Sequence, residues 1–193
     1  MPDSSLTKRA LAQAIKELMN EKPLVKISIA DIVDRCQMNR QSFYYHFRDK
    51  YALVNWIFYT ELITELQNSS NKDEYEELKN ICRYLYDNRA FYINALKFTG
   101  QNSFYEYFGE VIYQLLKAAF NESFGNSDQS DFNAMFYADA LRACIFRWLT
   151  SGAKMHPDEF VGKIRSALAI SPENQRALLK EAARGALTNV PWN

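Results

Sequence analysis

Leu11, Ala14, Ile15, Leu18 and Met19 recur at helical spacing, so the chain opens on an amphipathic helix over about residues 5–20, ended by Asn20-Glu21-Lys22-Pro23. Ser28-Ile29-Ala30-Asp31 has the spacing of a capping box and predicts a second helix through about Arg35. Asn39 is placed to cap a third helix, and Asp49 a long fourth one reaching about Gln67. A polar break follows at Asn68-Ser69-Ser70-Asn71. Beyond it the pattern predicts helices near 73–88, 90–98, 103–123, 130–152, 157–169 and 173–187, separated by Gly, Asn, Ser and Pro clusters. The expected fold is all-α: a three-helix helix-turn-helix head followed by a larger C-terminal helical bundle. The expected division falls at residues 1–50 and 51–193, with helix 49–67 bridging the two.

The segment Ile27 to Lys50 carries the most information. Ile29, Ile32 and Val33 give the first short helix an apolar face, and Phe43 and Phe47, four apart, give one to the second. Cys36-Gln37-Met38 links them. At ~100° per residue, Arg40, Gln41, Tyr44 and Tyr45 fan over an arc of roughly 140° on the opposite side. Arginine can fork onto guanine O6 and N7, and glutamine onto adenine N6 and N7. Phenol and serine hydroxyls can donate to phosphate oxygens and set register. Lys50, just after the Asp49 cap, is expected in the first turn of the fourth helix, where ammonium and free backbone N–H groups together suit one phosphate. A cation there opposes the helix dipole, which suggests an external partner.

Charge supports this division. The whole chain is formally neutral, but residues 1–56 carry nine Lys/Arg and six Asp/Glu, a net of +3 that leaves −3 on the remainder. A basic head on an acidic body suits contact with nucleic acid by the head. Composition narrows the alternatives. At 48% hydrophobic and 24% charged the chain can bury a core, and its six glycines and five prolines favour helices over a turn-rich β fold. The three cysteines form no CxxC and lie away from both histidines, so no metal site or cofactor is expected and the thiols are read as buried and free in a reducing cytoplasm. No apolar run approaches the ~20 residues of a membrane span, and the opening MPDSSLTKRALAQ lacks a signal peptide's apolar stretch. A small helical enzyme is disfavoured for want of a metal cluster, a phosphate-binding glycine loop or a triad-like string. A helical protein-interaction module without DNA is the alternative reading.

The string Phe43-Tyr44-Tyr45-His46-Phe47-Arg48-Asp49-Lys50, followed by the apolar Leu53, Val54 and Ile57, resembles the DNA-binding domain of the TetR/AcrR family. The resemblance implies a cytoplasmic, homodimeric regulator of operator DNA, a repressor sooner than an activator, tuned by a small effector or a protein co-regulator. It implies base reading by Arg40 and Gln41, and phosphate or groove contacts by Ser28, Asn39, Ser42, Tyr44, Tyr45, His46 and Lys50. Where the family often has Ala-Gly before the recognition helix, this chain has Cys36-Gln37; a non-glycine in a left-handed turn costs about 1 kcal/mol. Residues 84–92, YLYDNRAFY, resemble the branch containing activators of dihydroxyacetone kinase operons.

The second part is rich in aromatics. Tyr84, Phe91, Tyr92, Phe108, Tyr113 and Tyr137, with Arg142, are candidate ligand-binding residues, although aromatics at this spacing also serve plain packing. Arg147, Trp148, Leu149 and Gly152, with the helix after Pro157, resemble the family's dimerising helix pair, making Phe146, Trp148, Phe160 and Ile164 candidate dimer contacts.

Overall fold

A computed structural model describes residues 4–68, 74–169, 173, 174 and 176, with the backbone alone at 63–68 and 74. Its described elements are helices: α1 (Ser4–Glu21), a short 3-10 turn (Leu24–Lys26), α2 (Ile29–Arg35), α3 (Arg40–His46), α4 (Lys50–Asn68), α5 (Glu74–Asp87), α6 (Arg89–Ala95), α7 (Phe104–Phe124), α8 (Asp128–Thr150) and α9 (Pro157–Leu168). The all-α expectation holds. The predicted helix over 173–187 falls almost wholly outside the described residues. The helix predicted at 90–98 ends at Ala95, and Leu96 caps it.

Local chemistry sets the boundaries in the head. Ser28 Oγ accepts the Asp31 amide at 3.1 Å while the Asp31 carboxylate accepts the Ser28 amide at 2.7 Å, completing the capping box of α2. Asn39 Oδ1 accepts the Ser42 amide at 2.8 Å and opens α3. Between them, the Met38 amide reaches back to Val33 O at 2.8 Å and the Gln37 amide to Asp34 O at 3.3 Å. That reversal is a Schellman turn with Gln37 in the left-handed position at φ 54°. Leu11, Ile15, Ile32, Phe43 and Leu53 pack the head's interior, none of them exposed. Full burial of a side chain such as Phe43 contributes about 2–3 kcal/mol.

In the remainder, α7 and α8 form a helical hairpin across the turn at residues 125–127, where Gly125 takes φ 81°. A ring cluster fills the body: Phe58 of α4 meets Phe104 at 5.2 Å, Phe108 at 5.4 Å and Tyr92 at 5.9 Å between centroids, and Phe108 meets Phe146 at 5.0 Å. A second Schellman turn ends α8, with Gly152 at φ 93° and the Ala153 amide on Trp148 O at 2.9 Å. Trp148 then donates its indole N–H to Met155 O at 2.9 Å and stacks on Phe160 at 4.6 Å, which holds α9 against the end of α8.

The thiols depart from expectation. Only Cys82 is buried, and burial pushes it up to about 12. Cys36 is half-buried, and Cys144 is exposed because it lies on the outward side of α8.

Candidate nucleic-acid interface

The apolar pair Phe43 and Phe47 seats α3 on the head, both rings buried and 6.0 Å apart. Their spacing turns Arg40, Gln41, Tyr44 and Tyr45 outward, as the helical arc predicts, with Tyr44 58% and Tyr45 83% exposed. Arg40 and Gln41 are exposed as well. Tyr45 meets the half-buried His46 edge-on at 4.9 Å, which stiffens the C-terminal end of this surface. A cation, an amide and two phenols thus stand on one face of a seven-residue helix whose opposite face is fixed.

Ion pairing sharpens the charge picture. Lys22 pairs with Asp31 at 3.0 Å, Arg35 with Glu21 at 2.8 Å, and Lys16 with Glu61. Among the described residues Arg40 has no carboxylate partner within ion-pair range. Hydrogen bonds from Ser28 and Lys22 hold the Asp31 carboxyl down at about 2.

The remaining expected contacts are differently placed. Ser28 and Asn39 are exposed, but their side-chain oxygens accept capping amides. Ser42 is half-buried, its hydroxyl donating to Asn39 Oδ1 at 3.1 Å. Lys50 departs most from the expected geometry. Its ammonium donates to Leu24 O at 2.7 Å, Ile27 O at 2.6 Å and Val25 O at 3.2 Å. Those carbonyls line the 3-10 turn and its C-cap, so the cation that seemed to oppose the α4 dipole has internal partners. All three of its N–H bonds are occupied without a phosphate. Partial burial lowers its pKa from the ordinary lysine value.

The candidate ligand and dimer residues divide in the same manner. Tyr92, Phe108 and Phe91 are buried in ring-to-ring contact with one another and with Phe104. Tyr137 stacks on Phe120 at 5.7 Å. Two clefts lie elsewhere. Tyr113 and Arg142 line one of ≈ 470 Å³ between α7 and α8; Tyr84 lines another of ≈ 500 Å³ between α1, α4 and α5. Phe146 and Trp148 face the subunit's own core, Ile164 is buried, and Phe160 covers Trp148. The outward face of α8 instead carries Phe132 and Phe136, 56% and 58% exposed and stacked on one another.

Two sets of long-range contacts escaped sequence reasoning because their partners are distant in sequence. Asn94 Nδ2 donates to Met19 O at 2.8 Å and Lys22 O at 3.1 Å, binding α6 to the end of α1. Glu61 of α4 accepts from both Lys16 of α1 and the Tyr84 hydroxyl of α5. Because Tyr84 has one hydroxyl proton and gives it to Glu61, Tyr92 must be the donor in the 2.6 Å contact between the two phenols. Burial raises the pKa of both tyrosines well above the ordinary value, so this chain stays protonated.

A capped helix-turn-helix with its recognition helix turned outward, mounted on a helical body, defines a transcriptional regulator. The chain belongs to the TetR family: residues 11–57 match the family described as "Bacterial regulatory proteins, tetR family", and residues 72–169 match "Transcriptional regulator C-terminal region". Over 95 residues it is 36% identical to the HTH-type dhaKLM operon transcriptional activator DhaS of Lactococcus lactis subsp. lactis (strain IL1403), covering 48% of this chain and 50% of that protein. The match therefore spans half the length of that curated relative. A solved structure of the dihydroxyacetone kinase operon activator DhaS superposes with a TM-score of 0.62 at 25% identity, covering 84% of this chain and 93% of the other. Native NalD, the secondary repressor of the MexAB-OprM multidrug efflux pump in Pseudomonas aeruginosa, shares the fold at a TM-score of 0.51 and 20% identity, covering 86% and 94%. No described helix is long and apolar enough to cross a membrane.

Proposed function

We propose that this regulator acts in the cytoplasm as a homodimer that places two copies of α3 in successive major grooves of an operator, with its affinity set by an effector. The observation that carries the reading is the outward set Arg40, Gln41, Tyr44 and Tyr45 on a helix fixed from behind by Phe43 and Phe47. Arg40 and Gln41 read base edges; Tyr44, Tyr45, His46 and the Ser28 hydroxyl contact backbone, and Ser42 reaches a phosphate only by turning its hydroxyl away from Asn39. Asn39 acts through its cap, and Lys50 holds the turn before α2. The functional division falls near residue 50, and α4 joins the parts.

One short recognition helix reads only a few base pairs, so a two-fold operator asks for two heads ~34–36 Å apart. The exposed Phe132 and Phe136 support a second copy docking on the outward face of α8, since a solvent-facing apolar pair on a long helix is a contact surface in search of a partner. Repression by operator occupancy is the first reading of the output. The relative named as an activator favours a second, activation.

Titrating labelled duplex against salt, with wild type and Arg40→Ala, tests the central claim. Wild type should show a steep counterion dependence. Arg40→Ala should lose ~1–3 kcal/mol and relax base preference at one position per half-site. Salt-independent binding, or wild-type affinity in the variant, would favour a protein-interaction module. Light scattering of Phe136→Asp should show a mass near that of one chain, and a promoter–reporter fusion fixes the sign of regulation.

A further inference from the structure

The cleft between α1, α4 and α5 has a chemistry of its own. Its α1 wall is a single helical stripe that includes Arg9, Ala12 and Lys16; α4 supplies Trp56 and Glu61, and Tyr84 of α5 lies at one end. Glu61 pairs with Lys16 through one oxygen and accepts the Tyr84 hydroxyl through the other, so both of its oxygens are engaged. Arg9 is exposed, and among the described residues no carboxylate comes within ion-pair range of it. The cleft therefore combines ≈ 500 Å³ of space, an aromatic wall and one guanidinium with no carboxylate partner among the described residues. Small-molecule sites are of this size, with apolar walls and a few convergent polar groups.

We propose that this cleft binds a small organic anion, a carboxylate or phosphate ester on an aromatic or apolar body. Arg9 receives the anion through its planar fork of donors. The Trp56 indole packs on the body, and Tyr84 borders it. Lys8 already lies 5.9 Å from the centre of the Trp56 ring, adding positive charge at the rim. Trp56 also meets Phe47, the C-cap of α3, edge-on at 5.7 Å. An occupant thus touches α1 and α4 directly and the end of the recognition helix through one ring. The inference rests on the effector reading above, and it assigns the effector to the seam between head and body instead of the body's interior.

Calorimetry on the full chain without DNA tests the site, using benzoate and phenyl phosphate, with benzylamine and benzyl alcohol as charge controls. At least one anion should bind saturably, one per chain, and about tenfold or more tighter than either control, a gap of about 1.4 kcal/mol. Arg9→Gln should weaken it by a similar factor with an unchanged thermal melt, and Trp56→Leu should weaken it too. Tyr113→Phe, in the other cleft, should leave it unchanged. No saturable binding of either anion, equal binding of benzylamine, or indifference to Arg9→Gln overturns the site. Because no DNA is present, a wild-type protein that ignores operator DNA would refute the DNA reading while leaving the calorimetry standing. Anion binding that leaves operator affinity unchanged would uphold the site and overturn its effector role.

Discussion

The side-chain carbonyl of Asn94 accepts the amide of Leu24 at 2.9 Å across 70 positions of sequence. With its two donor bonds to Met19 and Lys22, this buried asparagine closes the C-terminal end of α1 and the entry to the 3-10 turn. A helix end leaves carbonyls that need partners, and here α6 supplies them. Asn94→Ala strands one buried amide and two carbonyls. It should cost about 2–4 kcal/mol, several hydrogen bonds' worth with their desolvation. A urea midpoint equal to wild type would mean that water replaces all three bonds.

Lys50 is expected to act on stability. Replacing it by Met removes three bonds from a charged donor, and bonds of that kind contribute about 1.5–3 kcal/mol each when lost from a folded site. The melting temperature should fall while the salt dependence of DNA binding keeps its slope. A slope shallower by about one counterion would return Lys50 to the phosphate backbone.

Gln37 carries a side chain where the Schellman turn favours none, at φ 54°. Gln37→Gly relieves a left-handed L residue and should stabilise the protein by about 1 kcal/mol, less what glycine adds to unfolded-state entropy. Thermal melts would show it as a higher midpoint; a fall would assign the Gln37 side chain a contact of its own.

Asp31 couples the head to acid. Its folded carboxyl titrates near 2, below the ordinary 3.8, because the charged form accepts from the Ser28 amide and Lys22. Depression of a carboxylate adds stability above its unfolded value, and that stability is lost as pH falls from about 4 through 2. Asp31→Asn should remove this acid-dependent component and flatten the stability profile between those limits, measured by urea melts at each pH. A variant profile parallel to wild type would place the dependence on other groups.

Sequence patterning made the helix order legible because caps are local: Ser28 with Asp31 and Asn39 with Ser42 are three residues apart. The outward face of α3 was legible for the same reason, since Phe43 and Phe47 fix which side is buried. The internal partners of Lys50 were not legible because they lie 23 to 26 positions away, in a turn with no periodic signal. Aromatics are ambiguous for a different reason. A pocket and a core use the same residues at the same helical spacing, so Tyr92 and Phe108 carry no local mark of which they serve. The dimer motif had the same ambiguity, with Trp148 engaged in its own chain's α8–α9 turn. Asn94 and Glu61 act only through helices folded back on α1, and nothing adjacent to either residue announces it.

Gly109 has a mechanical consequence. Arg142 crosses α7 where that residue lacks a side chain: a Cβ there would stand 2.6 Å from the guanidinium, whose centre lies 4.4 Å from that of the Tyr105 ring. The guanidinium is a peg and the glycine its socket, so the two long helices approach closely at this point. A side chain at position 109 would push the Arg142 guanidinium out of this seat and off the Tyr105 ring.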